Sequence, residues 1–432
     1  MKPIARAPYA FAARLAAAVA TLTPAGRGKL RTSLHVRRGV TQRFTHWAAA
    51  GRDRRRPLLW MHAPSVGEGL QARPVLDTLR TRHPAWQILY TFFSPSAESF
   101  ARALGVDYTD YLPFDTARDM GALCDALAPS ALVFSKLDVW PVLAESAAAR
   151  GIPLGMISAT VSGISSRSGR LADWVLSDAY ASLDTVGTVD DADARRLVSM
   201  GVRPGAVHVT GDTRYDQVAQ RAQRTDRTSA LLAPLVSARP TLVAGSTWPA
   251  DEAPLLAAWR VVRSRVPDAR LIIAPHEPTA GHLGPVEDAA QRLELSVARL
   301  GTEAQRTADV VVVDRVGVLG ELYALADVAF VGGGFHSAGL HSVVEPAAFG
   351  APVLFGPQHR NARDAELLLN IGGGFQASSA DALATQLERL FGDEPARREA
   401  GRRALGLVSS GLGAAERSAV LVETLIGRSS AR

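Results

Sequence analysis

Short runs of continuous apolar residues alternate with stretches of helical spacing from residue 58 almost to the end of the chain. The runs 58–62, 88–92, 131–134, 154–158, 185–187 and 207–210 predict strands, and 119–127 and 141–150 predict helices between them. A second series begins at 241–244 and continues through 271–274, 310–313, 328–331 and 353–355. Apolar strands separated by helices imply parallel sheets covered on both faces. The polar stretch 217–239, rich in Arg, Gln, Thr and Ser, divides the two series. The expected fold is therefore α/β, with two Rossmann-like domains facing a central cleft. The expected divisions are residues 1–56, 57–225 and 226–432, with the last helix free to cross back to the N-terminal domain.

Composition sharpens this picture at one end of the chain. Apolar content of 47% and charged content of 21% over 432 residues describe a folded protein too long for one ordinary core. The single Cys124 excludes disulfides within the chain and cysteine-based zinc or iron–sulfur sites. The net charge of +6 is unevenly spread: residues 1–56 hold 13 Lys/Arg against one acid, Asp53, leaving an acidic body. Residues 9–22 are Ala/Leu-rich but shorter than the about 20 residues needed to span a bilayer. Lys2 and Arg6 ahead of an apolar stretch suggest a secretory signal, but Arg14 interrupts it and arginines follow it. Phe11, Leu15, Val19 and Leu22 share one side at helical spacing. With Arg37, Arg38, Arg43, Arg52 and Arg54, Arg55 and Arg56, they predict an amphipathic segment suited to an anionic membrane face, in preference to nucleic acid.

No Walker P-loop and no Gly-x-Gly-x-x-Gly after a strand occur, which argues against kinase and dehydrogenase chemistry. The richest segment is Trp60-Met-His-Ala-Pro-Ser-Val-Gly-Glu-Gly69, an apolar strand entering a turn and then a helix. It places Glu68 at the carboxyl end of a strand, where open α/β sheets hold their sites. Glu68 there suits a general base, or simply an acid in a first helical turn. Asp191-Ala-Asp193 matches a loose metal-binding pattern, but Thr188-Val-Asp-Asp191 reads better as a capping box for a helix over 192–200. Gly245, Ser246 and Thr247 follow the first strand of the second series, where backbone amides and a helix end can hold a phosphate or merely cap the helix. His276 ends another strand of that half as a phosphate ligand or a structural histidine. Gly332-Gly333-Gly334 offers backbone open to close approach. His341 and Glu345, four apart, share one face if that segment is helical, and a carboxylate there can accept both hydroxyls of a ribose. A metal site built from His336, His341 and Glu345 is the weaker reading of the same residues.

Taken together, these segments resemble the Kdo transferases, which add 3-deoxy-D-manno-octulosonic acid (Kdo) to the lipid A precursor. The resemblance runs through His62-Ala-Pro-Ser-Val-Gly-Glu68, Tyr111-Leu-Pro-Phe-Asp115, Trp140-Pro141, Arg150-Gly-Ile-Pro153 and Thr210-Gly-Asp-Thr-Arg-Tyr-Asp216. It continues in Ala244-Gly-Ser-Thr247, Ala326-Asp-Val-Ala-Phe-Val-Gly-Gly333, Glu345-Pro-Ala-Ala-Phe-Gly350 and Pro352-Val-Leu-Phe-Gly-Pro357.

The resemblance implies a GT-B glycosyltransferase of the cytoplasmic face of the bacterial inner membrane. It would take Kdo from CMP-Kdo with inversion, without metal or cofactor. It implies Glu68 as base with Asp138 as a second acid. Gly245, Ser246, Thr247, His276, Gly333, Gly334, His341, Ser342 and Glu345 would serve the nucleotide. Ser65, Lys136 and Arg214 would serve the acceptor or the Kdo carboxylate. The chain departs from the family's Glu-Thr-Glu-Leu-Trp-Pro in Lys136-Leu-Asp-Val-Trp-Pro141, from Pro-Arg-His-Pro in Pro275-His-Glu-Pro278, and from His-Asn-Pro-Leu-Glu in His341-Ser-Val-Val-Glu345. A UDP-sugar transferase acting on lipid, and a non-catalytic membrane-attached binding protein of the same fold, remain open alternatives.

Overall fold

A computed structural model describes the chain apart from Lys2, Ala25, Arg27, residues 162–169, Ala338 and residues 431–432; Lys2 of the signal-like reading thus lies outside the described residues. The chain divides into two units, one of residues 1–217 and 412–432, the other of residues 218–411. The division falls ahead of the expected 225/226 because the helix Thr213–Arg224 runs across the polar stretch read as a separator. Residues 1–56 fall within the first unit.

The first unit carries seven parallel strands: β1 Leu58–His62, β2 Gln87–Phe92, β3 Tyr108–Tyr111, β4 Ala131–Ser135, β5 Leu154–Ala159, β6 Thr185–Thr188 and β7 Val207–Val209. Their order is β3-β2-β1-β4-β5-β6-β7. The central strands are buried at every position, as their continuous apolar runs require. The helix Ala414–Ser430 returns to this unit and buries Ala419, Val422, Leu425 and Ile426 in its core. His83 Nε2 lies 2.9 Å from Glu423 on that helix, and Arg82 pairs with Glu416 and Glu423.

The second unit repeats the plan with β8 Thr241–Thr247, β9 Arg270–Pro275, β10 Val297–Arg299, β11 Val310–Val312, β12 Val328–Val331, β13 Val353–Phe355 and β14 Gly374–Gln376. Its order is β10-β11-β9-β8-β12-β13-β14, again all parallel. The strands β3, β10 and β14 were not expected. Each is three or four residues long at or near a sheet edge, too short to show a period.

Several arginines read as membrane-facing bond to the first unit's own groups. Arg37 is buried, with its guanidinium 3.7 Å over the Phe93 ring and bonded to the carbonyls of Ser33 and Phe93. Arg43 forks onto Asp110 at 2.6 and 2.9 Å. Arg52 bonds the Leu127 carbonyl and Gln87, and Arg54 and Arg56 bond backbone carbonyls. Long charged side chains near chain turns find carbonyl acceptors, a use that composition does not reveal.

The helix Pro3–Leu22 does leave an apolar stripe outside: Ile4, Phe11, Leu15, Val19 and Leu22 are all exposed. Tyr9 Oη donates to buried Asp115 at 2.8 Å, tying the helix to the body. Among the described residues, the stretch long and apolar enough to cross a membrane is Glu394–Arg428. It is two helices, and its Ala400, Ala404, Val408, Ala419, Val422 and Leu425 are buried.

The expected capping box at Thr188 is also corrected. Thr188 belongs to β6, and Asp190 caps the helix Asp191–Ser199 by accepting from the Asp193 amide at 2.8 Å.

Candidate active site

In each sheet the strand order reverses once beside the first strand: between β1 and β4, and between β8 and β12. Such switch points open a crevice at the carboxyl ends of the strands. Glu68 and Lys136 lie at the first of these places and Gly245, Ser246, Thr247, Gly333 and Gly334 at the second, whereas Arg214 follows the edge strand β7.

At the first, β1 and β4 run in register with His62 opposite Phe134. Ser65 caps the helix Val66–Arg82; its Oγ accepts from the Gly67 amide at 3.3 Å and donates to Glu68 Oε2 in a close contact. Glu68 therefore sits in the first helical turn, as the simpler reading of the sequence had it, with its side chain 22% exposed. The residues ending β4 meet it from across the switch point. Ser135 Oγ donates to the Glu68 carbonyl at 2.9 Å, and Lys136 Nζ stands 3.7 Å from Oε1. Fully buried Tyr90 faces the same helical turn, and its hydroxyl has no hydrogen-bond partner among the described residues. Burial, and then the Glu68 charge, raise its pKa.

Asp138, on the loop after Lys136, lies with Oδ2 4.0 Å from His62 Nε2, too far for a hydrogen bond. Trp140 Nε1–H donates to that same nitrogen at 2.9 Å, and His62 Nδ1 meets Thr91 Oγ1 at 2.9 Å. An indole N–H only donates, so Nε2 is the acceptor and the ring proton is on Nδ1. Asp138 thus borders a buried histidine bridge between β1, β2 and the β4 loop.

Arg214, expected to serve the acceptor or the Kdo carboxylate, pairs with Asp212. Its Nε and Nη2 fork onto Asp212 Oδ2 at 2.8 and 2.6 Å, while Asp212 Oδ1 accepts the Arg214 amide. A carboxylate two residues back in a turn captures the guanidinium locally.

In the second unit the expected turn at Gly245, Ser246 and Thr247 is the end of β8 itself. Ser246 is left-handed at φ 56°, and the pairing with β9 shifts register there. Thr247 Oγ1 donates to Glu252 at 2.9 Å, and its carbonyl accepts the His276 amide. Burial raises the Glu252 pKa, which the Thr247 hydroxyl partly offsets.

The triple glycine is likewise built into the protein's own backbone. A side chain on Gly332 would strike the Ser246 carbonyl, and one on Gly334 the Gly356 amide. The Gly332 amide donates to Gly245 and the Gly333 amide to Asp251 Oδ2 at 2.7 Å. These glycines allow β8, β12 and β13 to converge, a demand as strict as the ligand approach read from the sequence.

His341 and Glu345 do not share a helical face, because the helix is only Val344–Ala347. His341 joins Trp248 and His276. The Trp248 ring stacks on His276 at 4.7 Å and on His336 at 4.6 Å, and His276 on His341 at 4.6 Å. Trp248 Nε1 donates to His341 Nε2 at 3.2 Å. Burial, then the His276 imidazole, hold the His341 pKa below the ordinary histidine range. Glu345 keeps 30% of its side-chain surface, lies 3.7 Å from Arg221 and has its pKa raised by burial. Ser342 is exposed. Among the described residues no three His, Cys, Asp or Glu side chains converge as metal ligands.

Sequence reasoning missed Trp248, Asp251, Arg221 and Tyr90. Asp251 is the most consequential: wholly buried, it accepts the amides of Trp248, Gly333 and Phe335. An acid in a first helical turn just after Gly-Ser-Thr was the available signal.

Two doubly wound parallel units are the architecture of the GT-B class of α/β proteins. The chain is similar to the UDP-GlcNAc 2-epimerase from Neisseria meningitidis bound to UDP-GlcNAc (TM-score 0.62, 13% identity, 86% of this chain and 100% of that one). It is also similar to a glycosyltransferase from Rickettsia africae (TM-score 0.56, 12% identity, 86% and 97%). At these identities the likeness shows the fold alone. Sequence carries the rest. A family profile described as 3-deoxy-D-manno-octulosonic-acid transferase (kdotransferase) matches residues 38–217. The 3-deoxy-D-manno-octulosonic acid transferase of Bordetella pertussis is 30% identical over 359 residues, covering 79% of this chain and 81% of that protein. The transferase of that name from Haemophilus influenzae is 25% identical over 377 residues, covering 86% and 87%. The chain belongs to the 3-deoxy-D-manno-octulosonic acid transferase family and is a glycosyltransferase.

Proposed function

We propose that the protein transfers Kdo from CMP-Kdo to a lipid A precursor, with inversion at the anomeric carbon and no cofactor beyond the donor. The observation that carries the reading is the Glu68 carboxylate: partly exposed, at the carboxyl end of β1, and fixed by Ser65 and Lys136. Glu68 takes the proton of a sugar hydroxyl on the acceptor as that oxygen bonds to the anomeric carbon. The bond from that carbon to the phosphate oxygen breaks, and its electron pair leaves with CMP. Attack opposite the leaving group inverts the centre.

In the second unit, Glu345 suits the ribose hydroxyls of cytidine. The end of β8 around Ser246, with the imidazoles of His276 and His336, suits the phosphate. The test is to incubate the protein with CMP-Kdo and lipid A precursor and read product masses. A Kdo mass increment supports the reading, and its absence from a folded, CMP-binding protein rejects it.

The exposed stripe of the helix Pro3–Leu22 supports residence on the cytoplasmic face of the inner membrane, bound to anionic lipid. The full chain is expected to float with vesicles containing anionic phospholipid. A Phe11→Glu/Leu15→Glu variant should remain in the soluble fraction. Equal flotation of the two proteins would remove this helix from the membrane contact.

A further inference from the structure

Lys136 was expected to meet a substrate carboxylate, yet its ammonium is turned to the protein's own acid. Two successive residues at the end of β4 grip Glu68 at two points: Ser135 Oγ holds its carbonyl at 2.9 Å, and Lys136 Nζ stands 3.7 Å from Oε1. The other carboxylate oxygen is held by Ser65. The backbone pays for this aim. Lys136 has φ 61°, in the left-handed region that a side chain with a Cβ seldom occupies, and its amide is pinned to the Ile157 carbonyl at 2.9 Å. Such conformations persist where surrounding structure enforces them, and they cluster at functional sites. Neighbouring β1 and β4 are in register up to His62 and Phe134, so the grip spans the switch point of the sheet.

We infer that Lys136 is the positioning residue of Glu68, keeping its carboxylate aimed for the approach of the acceptor hydroxyl. This rests on the reading of Glu68 as base. The Lys136 ammonium stands on the Oε1 side of the carboxylate, 3.7 Å away. Ser65 on Oε2 leaves the carboxylate little freedom to turn. The proton taken from the acceptor goes to Glu68.

The left-handed backbone supplies a clean variant. Lys136→Gly removes the ammonium at a position where glycine is at ease, so relief of strain opposes the added freedom of the unfolded chain. Steady-state transfer and thermal midpoints of the full-length wild type, K136G and K136R test the inference. K136G is expected to keep its midpoint within a few degrees and its CMP-Kdo KM within about twofold, while kcat falls roughly tenfold or more. K136R is expected to recover most of that loss. Wild-type kcat in K136G overturns the inference. So does a K136R as slow as K136G, or a loss that appears as a raised CMP-Kdo KM with kcat kept, which would make Lys136 a donor ligand. A fully active Glu68→Gln variant would fail the base assignment itself. An inactive Glu68→Gln beside an active K136G would fail this inference alone.

Discussion

Glu68→Gln is expected to lower kcat about 10²- to 10⁴-fold, the usual contribution of a positioned general base, while the fold and the affinity for CMP stay unchanged. The substitution is nearly isosteric. The amide oxygen can still accept from the Ser65 hydroxyl, so the start of the helix Val66–Arg82 is kept. What disappears is the proton acceptor and the charge that faces Lys136. CMP is assigned to the second unit, which Glu68 does not belong to, so a calorimetric titration with CMP should match that of the wild type. Slow transfer with unchanged CMP binding places the defect in chemistry. A Glu68→Gln enzyme as fast as the wild type would return Glu68 to a first-turn acid of structural use only, and the base would have to be sought elsewhere.

Legibility from sequence followed burial and chain distance. The strands 58–62, 328–331 and 353–355 were read to the residue because each is fully buried and, His62 apart, apolar. Tyr108-Thr-Asp-Tyr111 was not read, since an edge strand half open to solvent carries no such run. Glu68 was legible because its strand, turn and helix are contiguous. Its partners Ser135 and Lys136 lie almost seventy residues on, and only the adjacency of β1 and β4 joins them. The glycines after β12 were noticed, but local sequence cannot say that the protein's own backbone approaches them. The basic N-terminus was legible as charge, yet the partners of Arg37, Arg43 and Arg52 come from elements that composition does not pair with them.

Asp251→Asn should damage the other half of the site through stability and donor binding together. The wholly buried carboxylate of Asp251 receives three backbone amides: Trp248 at 2.9 Å and Gly333 at 2.7 Å on Oδ2, and Phe335 at 2.9 Å on Oδ1. Asparagine offers one oxygen, and its NH2 must face at least one of these N–H donors. Leaving buried donors unsatisfied costs about 1–3 kcal/mol each, so a loss of roughly 2–4 kcal/mol is expected. For a unit of this size that is a fall of about 5–15 °C in its thermal midpoint. The same bonds join the start of the helix Pro249–Arg265 to the turn after β12, and so hold Trp248 against the imidazoles of His276, His336 and His341. Weaker CMP binding should therefore accompany the lower midpoint even at temperatures where the variant is folded. This is the reverse of the Glu68→Gln signature, in which binding survives and turnover does not. An Asp251→Asn protein with a lower midpoint but wild-type CMP affinity would separate the stacked cluster from the nucleotide. One with an unchanged midpoint would mean that the three amides find other acceptors.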